Sequence, residues 1–214
     1  MARRKLAHFA EMDGMPHVFA YPNDKAGNWH AWFGNTNPIV LEVGCGTGRY
    51  AVGLGKLFPN QNFIGLDIKG SRMWHGAKAV QAEGLNNVAF VRTQLENIQD
   101  YFAPGEVSEI WITFPDPQPR ESRERKRLSS ARFLDLYKPL LVAQGVVHLK
   151  TDNQALFDFS EDCWKNYGMH IEMVTRDLYA TPVTEAVLEI QTTYEERYRA
   201  QGLPICYMRA KMPL

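Results

Sequence analysis

The sequence predicts a doubly wound α/β fold with a mainly parallel sheet. Three observations lead to this prediction. Short apolar runs alternate with helical stretches from residue 38 onward, the first run ends in a cluster of glycines, and polar residues follow the ends of later runs. Alternation of this kind is typical of βαβ units, whose strands lie side by side in parallel.

The first 37 residues differ from the rest of the chain. They lack clear periodicity and contain several residues that break regular structure: Gly14, Pro16, Pro22, Gly27 and Gly34. Such residues favour turns and loops. We therefore expect residues 1–37 to form an irregular N-terminal arm and residues 38–214 to form the domain.

The elements of the domain follow in order from Pro38. The first apolar run is a strand that stops at the glycine cluster; the helix after it ends at Pro59, and a second helix ends near Gly84. Strands are predicted over 39–43, 62–67, 88–92, 109–114 and 145–150, with helices over 50–58, 71–83, 131–142 and 153–167. Strands over 169–175 and 205–210 complete the sheet.

Composition excludes several classes of protein. Hydrophobic residues make up 45% of the 214-residue chain and charged residues 22%, an ordinary globular mixture. Lysine plus arginine and aspartate plus glutamate number 24 each, so the chain does not resemble a protein that coats nucleic acid through net charge. No apolar run is long enough to span a bilayer, and three isolated cysteines indicate reduced thiols in a cytoplasmic protein. Six scattered histidines show no ligand spacing, so no metal is expected.

The first strand-to-helix turn is the candidate cofactor site. It reads Glu42-Val-Gly44-Cys-Gly46-Thr-Gly48-Arg49, and Arg49 replaces the last glycine of a dinucleotide fingerprint, which disfavours a nicotinamide dehydrogenase. Asp67 ends the second strand at the spacing from which an acid reaches ribose hydroxyls. This combination resembles the S-adenosylmethionine site of class I methyltransferases. The resemblance implies that Glu42, Gly44, Gly46 and Asp67 contact the cofactor, with Gln94 beside the adenine.

The fourth strand leads into the candidate substrate site. Prolines on both sides of Asp116 restrict the backbone and hold its carboxylate in one pose. Residues 120–132, the basic run, follow with six basic and two acidic side chains. This segment therefore carries +4 while the whole chain is neutral. A basic rim beside an active site favours a nucleic-acid substrate.

These motifs together resemble one family. The segments are Phe114-Pro-Asp-Pro-Gln-Pro-Arg120, Arg125-Lys-Arg-Leu128, Thr151-Asp152 and Thr192-Thr-Tyr-Glu-Glu-Arg197. Their order and content resemble the bacterial tRNA (guanine-N7)-methyltransferases, from about Leu41 to the C-terminus. The family's Asp beside the adenine is replaced here by Gln94, and its usual Trp after the Pro-Asp-Pro motif by Gln118-Pro119. A Gly-His segment of the family beyond Arg197 is also missing.

The resemblance implies a role for each matching residue. Asp116 is the active-site acid and also lines the cofactor site; Arg120, Asp152, Thr192, Thr193, Tyr194 and Glu195 match positions that contact substrate. The implied reaction transfers a methyl group from S-adenosylmethionine to N7 of a guanine in the tRNA variable loop. Guanine N7 has a lone pair and no proton to lose, so catalysis should consist mainly of positioning. Family members act as monomers or homo-oligomers.

Other functions explain less of the sequence. A small-molecule or protein methyltransferase accounts for the glycine turn and Asp67, but not for the Pro-Asp-Pro motif beside the basic run. Enzymes that methylate amino groups of adenine or cytosine usually carry an Asp/Asn-Pro-Pro-aromatic turn, which Pro115-Asp-Pro-Gln118 matches poorly. A non-catalytic RNA-binding relative would be expected to lose Glu42 or Asp67, and both are present.

Overall fold

The computed structural model describes residues 2–21, 24–181 and 190–214, with the side chains of residues 2–5 outside the description. Its contacts divide the chain into two compact units, Met1–Ala103 and Pro104–Leu214. Both units consist of strands alternating with helices, which confirms the predicted α/β class.

The first unit holds four parallel strands in the order β1-β4-β3-β2. The strands are β1 (Val18–Ala20), β2 (Ile39–Val43), β3 (Asn62–Asp67) and β4 (Val88–Arg92); the helices are α1 (Ala2–Met12), α2 (Trp29–Phe33), α3 (Arg49–Leu57) and α4 (Gly70–Glu83). A 3₁₀ helix, Leu95–Asp100, follows β4. All five residues of β2 are buried, the four apolar ones and Glu42, as expected for a strand of a parallel sheet that is covered on both faces.

The second unit holds four strands in the order β5-β6-β8-β7. The strands are β5 (Val107–Thr113), β6 (Leu141–Thr151), β7 (His170–Thr175) and β8 (Cys206–Lys211); the helices are α5 (Ala131–Tyr137), α6 (Gln154–Asn166) and α7 (Thr193–Arg199). Strands β5 and β6 are parallel, whereas β8 pairs antiparallel with both β6 and β7. A 3₁₀ helix spans Glu121–Lys126.

The N-terminal arm is more regular than its sequence predicts. Helix α1 packs on α4: the His8 ring stacks on the Trp74 ring with centroids 4.1 Å apart, and Trp74 Nε1 donates to Glu11 Oε2 at 2.8 Å. Strand β1 pairs with β4, so the arm joins the first unit. These contacts join residues distant in sequence, which explains why local periodicity does not show them. The domain boundary at residue 38 stays a prediction.

One predicted helix is too long. Helix α5 ends at Tyr137, and strand β6 already begins at Leu141, although the apolar sequence suggested a helix to residue 142. The reason is Pro139, whose ring and missing N–H stop a helix at or before the preceding residue.

Candidate functional site

The glycine turn after β2 adopts a conformation that requires glycine. Gly44, Gly46 and Gly48 have φ angles of 73°, 55° and 71°, in the left-handed region. A Cβ on Gly48 would lie 2.4 Å from the Phe90 ring, whereas a Cβ on Gly46 would meet nothing within 4 Å. Gly48 is therefore required for packing, and the backbone at Gly46 is open to a ligand.

Glu42 stabilises the start of the helix that follows the turn. Its side chain is buried, and Oε2 accepts a hydrogen bond from the backbone N–H of Ala51 at 3.0 Å. Ala51 lies in the first turn of α3, where backbone N–H groups have no partner within the helix. A carboxylate at this position also interacts favourably with the positive end of the helix dipole.

Asp67 links the end of β3 to the glycine turn. Its Oδ2 accepts from the N–H of Gly46 at 2.8 Å, and its Oδ1 accepts from the N–H of Lys69 at 2.7 Å. An ionised carboxylate has about four acceptor positions, so both oxygens can also accept from hydroxyl groups. Burial, together with the negative charges of Glu42 and Asp67, raises the pKa of the Cys45 thiol, which therefore remains neutral.

Gln94 lies beside Asp67 along the neighbouring strand end. The N–H of Thr93 donates to the Asp67 carbonyl at 3.1 Å. Gln94 is the N-cap of the 3₁₀ helix, and its side chain is exposed. The structure thus brings Glu42, Gly44, Gly46, Asp67 and Gln94 to the carboxyl ends of adjacent parallel strands of the first unit.

The Pro-Asp-Pro loop of the second unit, residues 114–119, contains two unusual backbone conformations. Phe114 and Gln118 have φ angles of 47° and 44°, and each precedes a proline. Positive φ at a non-glycine residue costs about 1–3 kcal/mol, and such strain concentrates at functional sites. Within this loop the exposed Asp116 accepts a hydrogen bond through Oδ1 from the N–H of Gln118 at 3.0 Å.

The guanidinium of Arg127 binds the backbone of this loop. Its Nε donates to the Pro117 carbonyl at 3.2 Å, and its Nη2 donates to the Gln118 carbonyl at 3.3 Å. Its Nη1 pairs with Glu124 Oε1 at 3.0 Å, and the guanidinium lies 4.2 Å from the centroid of the Phe159 ring. Arg127 belongs to the basic run, but it is buried and contacts the loop, a role that the charge of the run does not predict.

Other basic side chains of the run are exposed. Arg120, Arg123, Arg125 and Lys126 all face solvent on or beside the 3₁₀ helix. Buried polar contacts anchor the chain that follows: the Ser129 and Ser160 hydroxyls lie 2.6 Å apart, and Ser130 Oγ donates to the Arg125 carbonyl. This arrangement presents positive charge on a fixed backbone.

The end of β6 joins the Pro-Asp-Pro loop to α7. The N–H of Phe114 donates to the Lys150 carbonyl at 2.8 Å, and Lys150 Nζ lies 2.8 Å from Glu195 Oε1 on α7. Both side chains are fully buried, and the Tyr179 hydroxyl also donates to Glu195 Oε1. Burial lowers the pKa of Lys150, partly offset by the charge of Glu195. Removing one partner of such a pair lowers stability strongly, because the other charge stays buried without a partner.

Helix α7 begins with a capping box. Thr192 Oγ1 accepts from the N–H of Glu195 at 3.1 Å, and the N–H of Thr192 donates to Glu195 Oε2 at 3.4 Å. The spacing Thr-x-x-Glu marks a helix start, so this signal in the sequence could have predicted α7. Thr192 and Glu195 therefore have structural partners, while Thr193 and Tyr194 are exposed on the same helix.

Two further contacts complete the group in the second unit. The rings of Phe114 and Tyr198 stack with centroids 6.3 Å apart, which joins the strained loop to α7. Asp152 follows the end of β6 and is half-buried, and this burial raises the pKa of its carboxyl group. The structure thus collects the Pro-Asp-Pro loop, the end of β6 and α7 into one cluster within the second unit.

The described residues form neither a metal-binding cluster nor a membrane-spanning helix. Among residues 2–21, 24–181 and 190–214, no group of three or more His, Cys, Asp or Glu side chains could hold a metal ion. Within the same ranges no helix is long and apolar enough to cross a membrane. All three cysteines are free thiols.

Comparison with known proteins identifies the family. Residues 36–208 match a family model described as "Putative methyltransferase". A protein of Bacteroides fragilis named tRNA (guanine-N(7)-)-methyltransferase is 46% identical over 100% of this chain and 87% of its own length. A protein of Cytophaga hutchinsonii with the same name is 46% identical over 98% of this chain and 97% of its own.

A solved structure supports the fold. The crystal structure of the 16S rRNA methyltransferase KamB matches with a TM-score of 0.68 at 15% identity, covering 92% of this chain and 99% of that one. At this identity the likeness concerns the fold, which is the doubly wound fold predicted from the sequence. Together with full-length identities of 46%, these findings show that the chain belongs to the bacterial tRNA (guanine-N7)-methyltransferase family.

Proposed function

We propose that this chain transfers a methyl group from S-adenosylmethionine to N7 of a guanine in the variable loop of tRNA. The observation that carries the proposal is 46% identity, over the whole chain, to a protein named tRNA (guanine-N(7)-)-methyltransferase. The order of the Pro-Asp-Pro loop, the basic run and the Thr192–Glu195 segment also supports it.

The residues of the first unit fit S-adenosylmethionine. A carboxylate at the end of β3 suits ribose hydroxyls because each Asp67 oxygen keeps acceptor capacity beyond its one backbone bond. Gly46 leaves its backbone open to close approach, and the exposed amide of Gln94 can accept or donate beside an adenine. Glu42 stabilises the helix start next to Gly44 and Gly46, and we assign it to the methionine end of the site. When bound, S-adenosylmethionine supplies an electrophilic methyl group on a sulfonium.

The residues of the second unit fit the guanine. We assign Asp116 to accept hydrogen bonds from guanine N1–H and the 2-amino group, which orients N7 and stabilises positive charge on the purine. We assign it a place in the cofactor site as well. Asp152 shares the first role. Guanine N7 loses no proton, so the chain needs no general base, and the proposed chemistry depends on holding the base still.

We assign the tRNA contacts to exposed residues. Arg120 and the basic run suit phosphates, as does Arg197 on the last turn of α7, while Thr193 and Tyr194 contact the substrate from α7. Thr192 and Glu195 position that helix through the capping box and the pair with Lys150. A target base in folded tRNA is stacked, so the enzyme must open the variable loop locally and recognise shape and phosphates.

We propose a cytoplasmic location, which a tRNA substrate and the pattern of three isolated cysteines support. A reaction without metal, and a monomeric or homo-oligomeric state, stay predictions.

The proposal is tested by transfer of labelled methyl groups from S-adenosylmethionine to unmodified tRNA transcripts, followed by aniline cleavage at N7-methylguanine. We expect cleavage at one guanine of the variable loop. A matched transcript with that guanine replaced by adenine should accept no label. Transfer to other positions, or none despite measurable cofactor binding, would overturn the proposed substrate while leaving the family assignment intact.

A further inference from the structure

Arg127 differs from the exposed arginines of its own segment. Arg123, Arg125 and Lys126 are exposed, whereas Arg127 is only 7% exposed. We propose that Arg127 is a positioning residue that fixes the pose of Asp116, and that it does not contact tRNA phosphates. The proposal rests on the proposed function, because it assigns Arg127 a part in that reaction.

The geometry uses three nitrogens of the guanidinium at once. Nε and Nη2 donate to two successive carbonyls, those of Pro117 and Gln118, and Nη1 pairs with Glu124. The ring of Phe159 lies 4.2 Å from the guanidinium carbon, measured to the centroid. This planar fork matches arginine, and a lysine at the same place has one nitrogen with which to reach both carbonyls.

These contacts act on Asp116 through the backbone. The carbonyls that Arg127 holds belong to the two residues that follow Asp116, and the N–H of Gln118 donates to Asp116 Oδ1. Gln118 has a φ of 44° and precedes Pro119, a conformation that persists only when its surroundings enforce it. Removing Arg127 should let Gln118 relax, and the Asp116 carboxylate would then lose its hydrogen-bonded pose.

Amide exchange measures this effect without substrate. Prolines occupy positions 115, 117 and 119, so the loop has backbone N–H groups at Phe114, Asp116 and Gln118 alone. We expect hydrogen–deuterium exchange at Gln118 to be at least about tenfold faster in Arg127→Ala than in the wild type. The matched control, Arg125→Ala, removes the same charge from an exposed position of the same segment and should leave exchange at Gln118 unchanged.

Kinetics separate positioning from phosphate binding. Arg127→Ala should lower kcat about 10²-fold, the scale expected for a misplaced catalytic group, while KM for tRNA and its salt dependence stay near wild type. Arg125→Ala should instead raise KM and reduce the slope of log affinity against log salt by about one. Arg127→Lys should lose kcat as well, because lysine keeps the charge but not the fork.

Each result decides the proposal. Unchanged exchange at Gln118 in Arg127→Ala would overturn the proposal. A reduced salt slope with kcat preserved would also overturn it and would make Arg127 a phosphate contact. If Arg127→Ala does not fold, Arg127→Lys and Phe159→Leu provide the test, since each weakens the hold on the loop and should speed exchange at Gln118. If the wild type does not methylate tRNA, the proposed function fails, and the exchange experiment still decides whether Arg127 holds the loop.

Discussion

Two aspartates at strand ends have their poses set by backbone N–H groups. Asp67 accepts from Gly46 and Lys69, and Asp116 accepts from Gln118. Each carboxylate accepts from the N–H group two residues later, that of Lys69 or Gln118, and Asp67 also accepts from the glycine turn. Acceptor capacity remains for a ligand in both cases. We therefore expect substitutions of these two aspartates to affect activity more strongly than stability.

Substitution of Asp116 tests its role in the reaction. Asp116→Asn keeps an oxygen that can accept from the Gln118 N–H, but it loses the negative charge that would stabilise a positively charged purine. We expect the methylation rate at saturating tRNA to fall about 10²-fold, while the melting temperature changes little. Single-turnover methylation and thermal denaturation measure the two effects separately. A wild-type rate in a folded variant that binds cofactor would remove Asp116 from the mechanism.

Asp152 predicts a dependence of stability on pH. Burial raises its pKa in the folded protein, so ionisation of Asp152 costs stability as pH rises from the ordinary Asp value, about 3.9, through the raised value. Asp152→Asn removes this cost at neutral pH and loses a proposed substrate contact. We expect the variant to melt at a higher temperature than the wild type at pH 7, with the difference shrinking towards pH 4, and to methylate more slowly. Melting curves across this range test the sign; a less stable variant at pH 7 would show that the ionised carboxylate is stabilising.

At the level of elements, the glycine turn separates backbone strain from ligand approach. Gly46 and Gly84 both have positive φ, at 55° and 65°, and neither would bring a Cβ within 4 Å of another atom. Gly84 lies at the C-terminal end of α4, outside the proposed cofactor site. The two glycines therefore form a matched pair.

Alanine at either glycine should lower the free energy of unfolding by about 1–2 kcal/mol, the cost of left-handed backbone for an L-residue. Only Gly46→Ala should weaken S-adenosylmethionine binding, by about tenfold or 1.4 kcal/mol, because its methyl group enters the open side of the turn. Chemical denaturation and titration calorimetry measure the two quantities. Equal cofactor affinity in both variants would place the cofactor away from Gly46.

The elements also show what local sequence can predict. Strands β2, β3 and β4 were predicted at their observed bounds, because each is a short apolar run closed by a turn. Helix α7 and strand β1 were missed: α7 is a polar segment of seven residues, and β1 has only three. Helix α5 ends at Tyr137, before the predicted residue 142, because Pro139 cannot continue a helix.

Part of the site could also be predicted from the sequence. Parallel α/β sheets bind ligands beyond the carboxyl ends of their strands, and Glu42, Asp67 and Asp116 lie at or just after such ends. The capping partners of Thr192 and Glu195, and the contact of Arg127 with Pro117, depend on distances between atoms. Within a run of six basic residues, charge does not distinguish the one that turns inward from those that face solvent.

At the level of the whole molecule, a neutral chain concentrates positive charge in one segment. Lysine plus arginine and aspartate plus glutamate number 24 each, yet residues 120–132 carry six basic and two acidic side chains. Local charge of this kind attracts phosphates and releases counterions on binding, so affinity falls as salt rises.

A triple variant tests this account of tRNA binding. Replacing Arg123, Arg125 and Lys126 by alanine removes three exposed charges while keeping Arg127. The slope of log affinity for tRNA against log salt is negative, and we expect it to become shallower by about two to three units, with cofactor affinity unchanged. Filter binding between low and physiological salt provides the measurement. Arg176→Ala, which removes an exposed arginine paired with Glu161 outside this segment, serves as the control. An unchanged slope in the triple variant would move the tRNA contact elsewhere.

The most direct test of the proposed function identifies the methylated atom. The wild-type protein is incubated with an unmodified tRNA transcript and S-adenosylmethionine that carries a trideuterated methyl group. The nucleosides are then separated by chromatography and identified by mass spectrometry. We predict one labelled product, trideuterated 7-methylguanosine. Label in a different methylated nucleoside, or unlabelled tRNA after cofactor binding has been demonstrated, would contradict the proposal that this chain methylates guanine N7 in tRNA.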